Sequence, residues 1–117
     1  MPKITSDCHE KLLKLSKTRK KLDKLISSKI KKYIEEGYGK NNILHGNEKM
    51  SCRKCTLTTP FGAYRLILVD NALIDIVLYD VYSKGVKEDL DQNQKKQVRE
   101  FYIKCQDVDF WKGLIDF

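Results

Sequence analysis

Residues 61–85, FGAYRLILVDNALIDIVLYDVYSKG, set the strongest limit on what this chain can fold into. Two runs rich in Leu, Ile, Val and Tyr are separated by Asn71 and Ala72, and such runs favour extended, pleated chain bounded by turn residues. A connection this short joins only antiparallel neighbours. Upstream, SCRKCTL reads as another strand and TTPFG as the turn after it, so the three runs predict an antiparallel meander.

The flanking segments change period from two to three and four. Residues 5–15 predict a short helix with Thr5 or Ser6 as its cap, Asp7 and Glu10 in its first turn, and Leu12, Leu13 and Leu15 as its apolar stripe. A longer helix is predicted from about residue 18 to residue 36. Its Leu22, Leu25, Ile26, Ile30, Tyr33 and Ile34 recur at helical spacing, while Lys20, Lys21, Lys24, Lys31 and Lys32 fill the other side. Gly37 follows, where a left-handed end residue is expected. The stretch GYGKNNILHGNEKM reads as loop, with Ile43 and Leu44 as its anchor to the core.

After the sheet, DLDQNQKKQVREFYIKCQ returns to helix, capped by Asp89 or Asp91, with Val98, Phe101, Tyr102 and Cys105 on one side. The final DVDFWKGLIDF is apolar for a terminus, and either packs on the domain or offers a docking surface. The order predicts one α+β domain over residues 1–117. A helical hairpin (5–36) packs on a small antiparallel sheet of three to four strands (50–85), followed by a C-terminal helix (89–106) and an apolar tail (107–117). With helices against one face, the other sheet face is expected to stay partly open and to hold the site.

Charge narrows the function. The 117 residues carry a net charge of +7. Residues 1–36 hold 11 Lys and Arg against 5 Asp and Glu, whereas residues 61–90 hold 3 against 5. A basic first half fits an anionic partner such as nucleic acid, or simply a solvated lysine-rich face. No apolar run approaches the roughly 20 residues of a membrane-spanning helix, and the first residues lack a signal-peptide pattern, so a cytoplasmic protein is expected.

Alternation places Arg65 with Ile67 and Val69 on one face, and Lys84 with Tyr82 and Asp80. Pairing through a turn at Asn71 and Ala72 sets Arg65 opposite residues 78–80, with Lys84 just beyond the paired region. Arg53 or Lys54 arrives from the neighbouring strand. Such a group of cations and tyrosines suits a phosphate or RNA platform, because arginine grips phosphate with two parallel hydrogen bonds and tyrosine stacks on bases.

Cys52 and Cys55 form a C-x-x-C spacing, half of a zinc site. Cys8, His9, His45 and Cys105 are the remaining donors, but none makes a second paired motif. Strand positions three apart also point to opposite faces, so ordinary buried thiols are expected. His9 and His45 lack a neighbouring nucleophile motif, and there is neither a glycine-rich phosphate loop nor a carboxylate pair with acid–base spacing. No metal or cofactor is expected.

The stretch from GAYRLILVD through IDIVLYDVYSKGVKEDLDQNQKKQVREF resembles the RelE/ParE superfamily of toxins from bacterial type II toxin–antitoxin modules. It is similar to that family's Gly-x-Tyr/Ala-Arg strand, its long following strand, and a Tyr-small-Lys ending that leads through Asp-Leu into a helix. The ending is closest to the HigB-like branch, whose chains also carry an Arg-Lys pair on the preceding strand. The helical hairpin ahead of the sheet matches in order and length, so the resemblance spans roughly residues 5–105 and implies a RelE-like fold.

What the resemblance implies is cleavage of mRNA in the ribosomal A site without a metal, leaving a 2′,3′-cyclic phosphate. An antitoxin protein would be the cognate partner, in a toxin–antitoxin hetero-oligomer. By position, Arg65 holds the scissile phosphate, and Lys84 stabilises charge or protonates the leaving oxygen. Arg53 and Lys54 match the basic pair, of which one faces the site. Tyr82 stacks on a base, and Tyr64, Lys87, Lys20, Lys21 and Lys24 are further RNA contacts. The C-terminal Tyr or His that some branches use has only Tyr102 as a weak match, and the tail 107–117 has no counterpart. Two alternatives therefore stay open: the gyrase-inhibiting ParE-like branch, and a non-enzymatic nucleic-acid-binding or zinc module.

Overall fold

The computed structural model describes residues 2–37, 42, 44, 51–70, 75–87 and 89–117. The chain runs β1 (Lys3–Ile4), α1 (Ser6–Ser16), α2 (Leu22–Glu36), β2 (Cys52–Thr59), β3 (Gly62–Asp70), β4 (Ile76–Ser83), α3 (Gln92–Cys105), α4 (Val108–Lys112) and β5 (Ile115–Asp116). Among the described residues no helix is long and apolar enough to cross a membrane.

Local chemistry accounts for the helix ends. Thr5 accepts a hydrogen bond from the Cys8 N–H at 3.2 Å and starts α1. The second helix begins four residues later than predicted, because residues 17–21 form the turn of the hairpin and Lys21 takes a left-handed φ of 65°. Gly37 ends α2 at φ 81°, its N–H donating to the Tyr33 carbonyl at 2.8 Å. Asp91 caps α3 in a reciprocal box, accepting from the Gln94 N–H at 2.7 Å while its own N–H donates to Gln94 Oε1 at 2.9 Å.

The predicted meander is present, but the sheet has five strands in the order β2-β3-β4-β1-β5 and is mixed, since β1 pairs parallel to β4. The tail packs on the domain. Trp111 of α4 is buried, Phe110 meets Phe101 edge-on at 5.7 Å, and β5 pairs with β1 while Phe117 N–H donates to the Pro2 carbonyl. Leu44 is fully buried, whereas Ile43, most of the stretch predicted as loop and the turn at Asn71 and Ala72 lie outside the described residues.

The expectation of one open sheet face is overturned. Tyr64, Leu66, Leu68, Leu78 and Val81 pack against Leu12, Leu22, Ile26 and Ile30 of the helical hairpin. Ile67, Val69, Val77 and Tyr82 pack on the other side, against Val98, Cys105 and Trp111 of α3 and α4. The physical reason lies in β3, where Leu66, Ile67, Leu68 and Val69 are all fully buried. An unbroken apolar run presents both faces to a core, so both need covering layers.

Register differs from the simple prediction as well. Arg65 pairs with Tyr82, not with residues 78–80. The connection is longer than two residues, since Asp70 pairs with Ile76, and a β-bulge leaves Tyr79 without a partner between Leu78 and Asp80. The extra residue reverses the alternation, so that Tyr82 falls on the α3 face with Arg65 instead of on the hairpin face with Leu78.

Trp111 joins the terminal helices to the sheet, so Trp111→Ala is expected to lower unfolding stability by about 3–5 kcal/mol. Val86→Ala, at a side chain 80% exposed, is expected to change it by less than about 0.5 kcal/mol. Urea melts of the two variants check both values.

Candidate functional site

At one end of the sheet the apolar interior of the α3 face gives way to polar side chains on three adjacent strands. Thr56 of β2 pairs with Arg65 of β3, which pairs with Tyr82 of β4. Arg65 is half-buried, and its Nη1 donates to Thr56 Oγ1. Lys54, two residues back on β2, shares this face, because its pairing partner is Ile67 of the α3-side core. Arg53 pairs with Leu68 and so faces the helical hairpin. Of the predicted basic pair, Lys54 therefore stands with Arg65 and Arg53 does not.

The segment between β4 and α3 completes this corner. Lys87 places its ammonium 4.7 Å from the centre of the Tyr82 ring, a cation–π contact. Asp89 accepts from Lys95 Nζ at 3.1 Å and lies 3.5 Å from Lys54 Nζ. Burial alone raises the Asp89 carboxyl, but the Lys95 hydrogen bond, the Leu90 N–H and the charges of Lys54 and Lys95 outweigh it and hold the group below its ordinary value. Asp89 thus holds Lys54 and the buried Lys95, while Arg65 and Lys87 stand beside it against Thr56 and Tyr82. Thr56 and Lys95 carry no local signal for a site and Asp89 reads only as a candidate helix cap, a place Asp91 takes; tertiary pairing alone brings the three to Arg65 and Lys54.

The other predicted residues distribute differently. Lys84 follows β4 as an exposed residue whose N–H donates to the Ala63 carbonyl at 2.9 Å. Tyr82 is 4% exposed and Tyr64 2%, so neither presents a ring on which a base can stack as the chain stands. Tyr64 also faces the hairpin core. Lys20 and Lys21 sit exposed in the turn between α1 and α2, and Lys24 is exposed on α2, across the sheet from Arg65.

Cys52 packs in the α3-side core and Cys55 in the hairpin-side core, so this pair cannot chelate one metal ion. Among the described residues no group of three His, Cys, Asp or Glu side chains is arranged to hold one. Desolvation, first of the causes in each case, pushes the thiols of Cys8, Cys52 and Cys105 up to about 12 and that of Cys55 to about 11. They are inert thiols at neutral pH.

A different cavity, of about 460 Å³, opens beside β4 between α1 and α3. Asp7 and Asp80 line it, and Lys11 is tied to Asp80 at 2.8 Å, so the balance there repels phosphate. No family model matches this chain, and comparison with curated proteins and with solved structures finds no match.

Asp89 links pH to stability. A carboxyl held below its ordinary value stabilises the fold above about pH 4, and that contribution disappears as pH falls through the lower folded-state value. Asp89→Asn is therefore expected to be less stable than the parent at neutral pH, with the difference narrowing below about pH 4. Thermal melts across that range check it; a difference that stays constant down to about pH 2 contradicts the role given to Asp89.

Proposed function

We propose that this chain is a RelE-like, HigB-like toxin of a type II toxin–antitoxin module, acting in the cytoplasm as a metal-independent, ribosome-dependent mRNA endoribonuclease. The observation that carries the reading is the corner itself, where Arg65 and Lys54 share one sheet face with Lys87 and Lys95 close by. The order of helical hairpin, meander and helix, together with the strand-borne Arg65 and the Tyr82-Ser83-Lys84 ending, fits the resemblance drawn from the sequence.

In the proposed reaction the RNA 2′-hydroxyl oxygen bonds to the adjacent phosphorus while the bond from phosphorus to the 5′ oxygen breaks. The products are a 2′,3′-cyclic phosphate and a 5′-hydroxyl end. Charge builds on the non-bridging oxygens, and donors fixed beforehand in a partly desolvated corner stabilise it best. Arg65, steadied by Thr56, supplies the planar fork for this, and Lys54, steadied by Asp89, supplies a second cation. Asp89 is too weak a base at neutral pH to accept the hydroxyl proton, which passes to water, and Lys84 donates the proton that the leaving oxygen needs.

A charge-assisted hydrogen bond contributes roughly 1.5–3 kcal/mol, and losing ~3 kcal/mol of transition-state stabilisation slows the step about a hundredfold. Arg65→Ala and Lys54→Ala are each expected to fold and to lose growth arrest, while induction of the parent chain in bacteria produces new mRNA ends within coding regions. Lys84→Ala is expected to act in the same direction, more weakly because its stem is flexible. Growth arrest with intact mRNA and damaged DNA would point to the gyrase-inhibiting alternative. Folded Arg65→Ala and Lys54→Ala variants that remain fully toxic would place the site elsewhere.

A further inference from the structure

We infer that the edge of β2 holds a second phosphate subsite, so that an RNA strand crosses this edge strand from the Arg65 corner to the C-terminal half of α2. The inference rests on the RNA-directed reading above and extends it to residues which that reading does not use.

Lys29, Lys32, Tyr33, Glu36, Asn42 and Thr56 line a cavity of about 410 Å³ beside β2. Because β2 is the outermost strand on its side of the sheet, a polymer can pass over it without displacing another strand. Thr56 belongs to both places, since it lines this cavity and its Oγ1 accepts the hydrogen bond from Arg65. The cavity and the Arg65 corner thus meet at one residue of the edge strand.

The charges fit a phosphate chain. Lys29 and Lys32 stand three apart on α2 and share a side of the helix. The Lys29 ammonium lies 5.4 Å from the centre of the Tyr33 ring, which fixes its position. Arg53 faces the hairpin side of β2, the side on which Cys55 and α2 lie, and the Cys55 thiol, pushed up mainly by burial, is lowered by Lys29 and Arg53 and raised by Asp70. Glu36, Asp70 and the negative end of the α2 dipole oppose these three cations, and the Lys29–Lys32 pair is what the cavity itself offers a phosphate. The Arg53-Lys54 pair thereby acquires a geometric reason: alternation sends one cation to each side of the edge strand, and a backbone crossing that edge meets both.

The test uses the full chain with uncleavable 2′-O-methyl oligoribonucleotides, a dinucleotide and a hexanucleotide, read by fluorescence anisotropy over a salt series. Lys29→Ala with Lys32→Ala is expected to weaken hexanucleotide binding about tenfold and to flatten the salt dependence by roughly 1.4 in log–log slope, as expected for two lost contacts to single-stranded phosphate. Dinucleotide binding, which reaches only the Arg65 corner, is expected to stay unchanged. If the double variant keeps the parent's affinity and slope while Arg65→Ala loses binding, the second subsite is wrong and the RNA-directed reading stands. If Lys20→Ala with Lys21→Ala takes the loss instead, the strand runs along the hairpin turn and the inference is overturned. If the parent chain binds neither oligonucleotide at low salt, the RNA-directed reading fails and the subsite with it.

Discussion

Four consecutive residues of β3, Leu66, Ile67, Leu68 and Val69, are fully buried, two toward each side of the sheet. Burying each such side chain stabilises the fold by roughly 1.5–3 kcal/mol, a gain lost wherever a face stays wet. A central strand of this kind therefore demands two covering layers, and the chain supplies them from its two ends, α1 and α2 before the sheet and α3 and α4 after it. The polar corner follows from the same constraint. The β3 run stops at Leu66, and the residue before it is Arg65, so the cations gather where apolar coverage ends.

Closure of the termini extends the sheet, with Ile4 and Phe117 on the hairpin side. Phe117 reaches back to Pro2, Lys3 meets Asp116 at 2.6 Å, and β5 lies beside β1. The apolar tail is thus occupied by its own domain. The bulge at Tyr79 has a comparable effect on the corner: by inserting one residue into β4 it turns Tyr82 toward Arg65 and gives Lys87 an aromatic face to rest on.

The helical hairpin, the caps at Thr5 and Asp91, the Gly37 end and the meander were legible because each follows from local spacing or side-chain chemistry. The alignment of Arg65 with Ile67 and Val69, and the opposition of Cys52 to Cys55, were legible for the same reason. The second covered face is also written in the chain, as the unbroken Leu66–Val69 run, which needs a covering layer on each side. Other features carry no local trace. The strands β1 and β5 are two residues long, too short for any periodicity, and exist through pairing with each other and with β4. The register of Arg65 depended on the length of a connection and on a bulge. The roles of Thr56, Asp89 and Lys95 depend on contacts between separate elements, and the burial of Tyr64 and Tyr82 removes them as stacking platforms because covering layers decide exposure.

On the proposed reading, the polar corner that this double coverage leaves at Lys54, Thr56, Arg65 and Lys87 meets RNA phosphate. Amide chemical-shift mapping of the isotopically labelled chain, titrated with an uncleavable oligoribonucleotide, tests it most directly. The largest shifts are expected at Lys54, Thr56, Arg65 and Lys87, continuing across β2 to Lys29 and Lys32. Shifts concentrated instead around Asp7, Lys11 and Asp80, or no shifts at low salt, would contradict it.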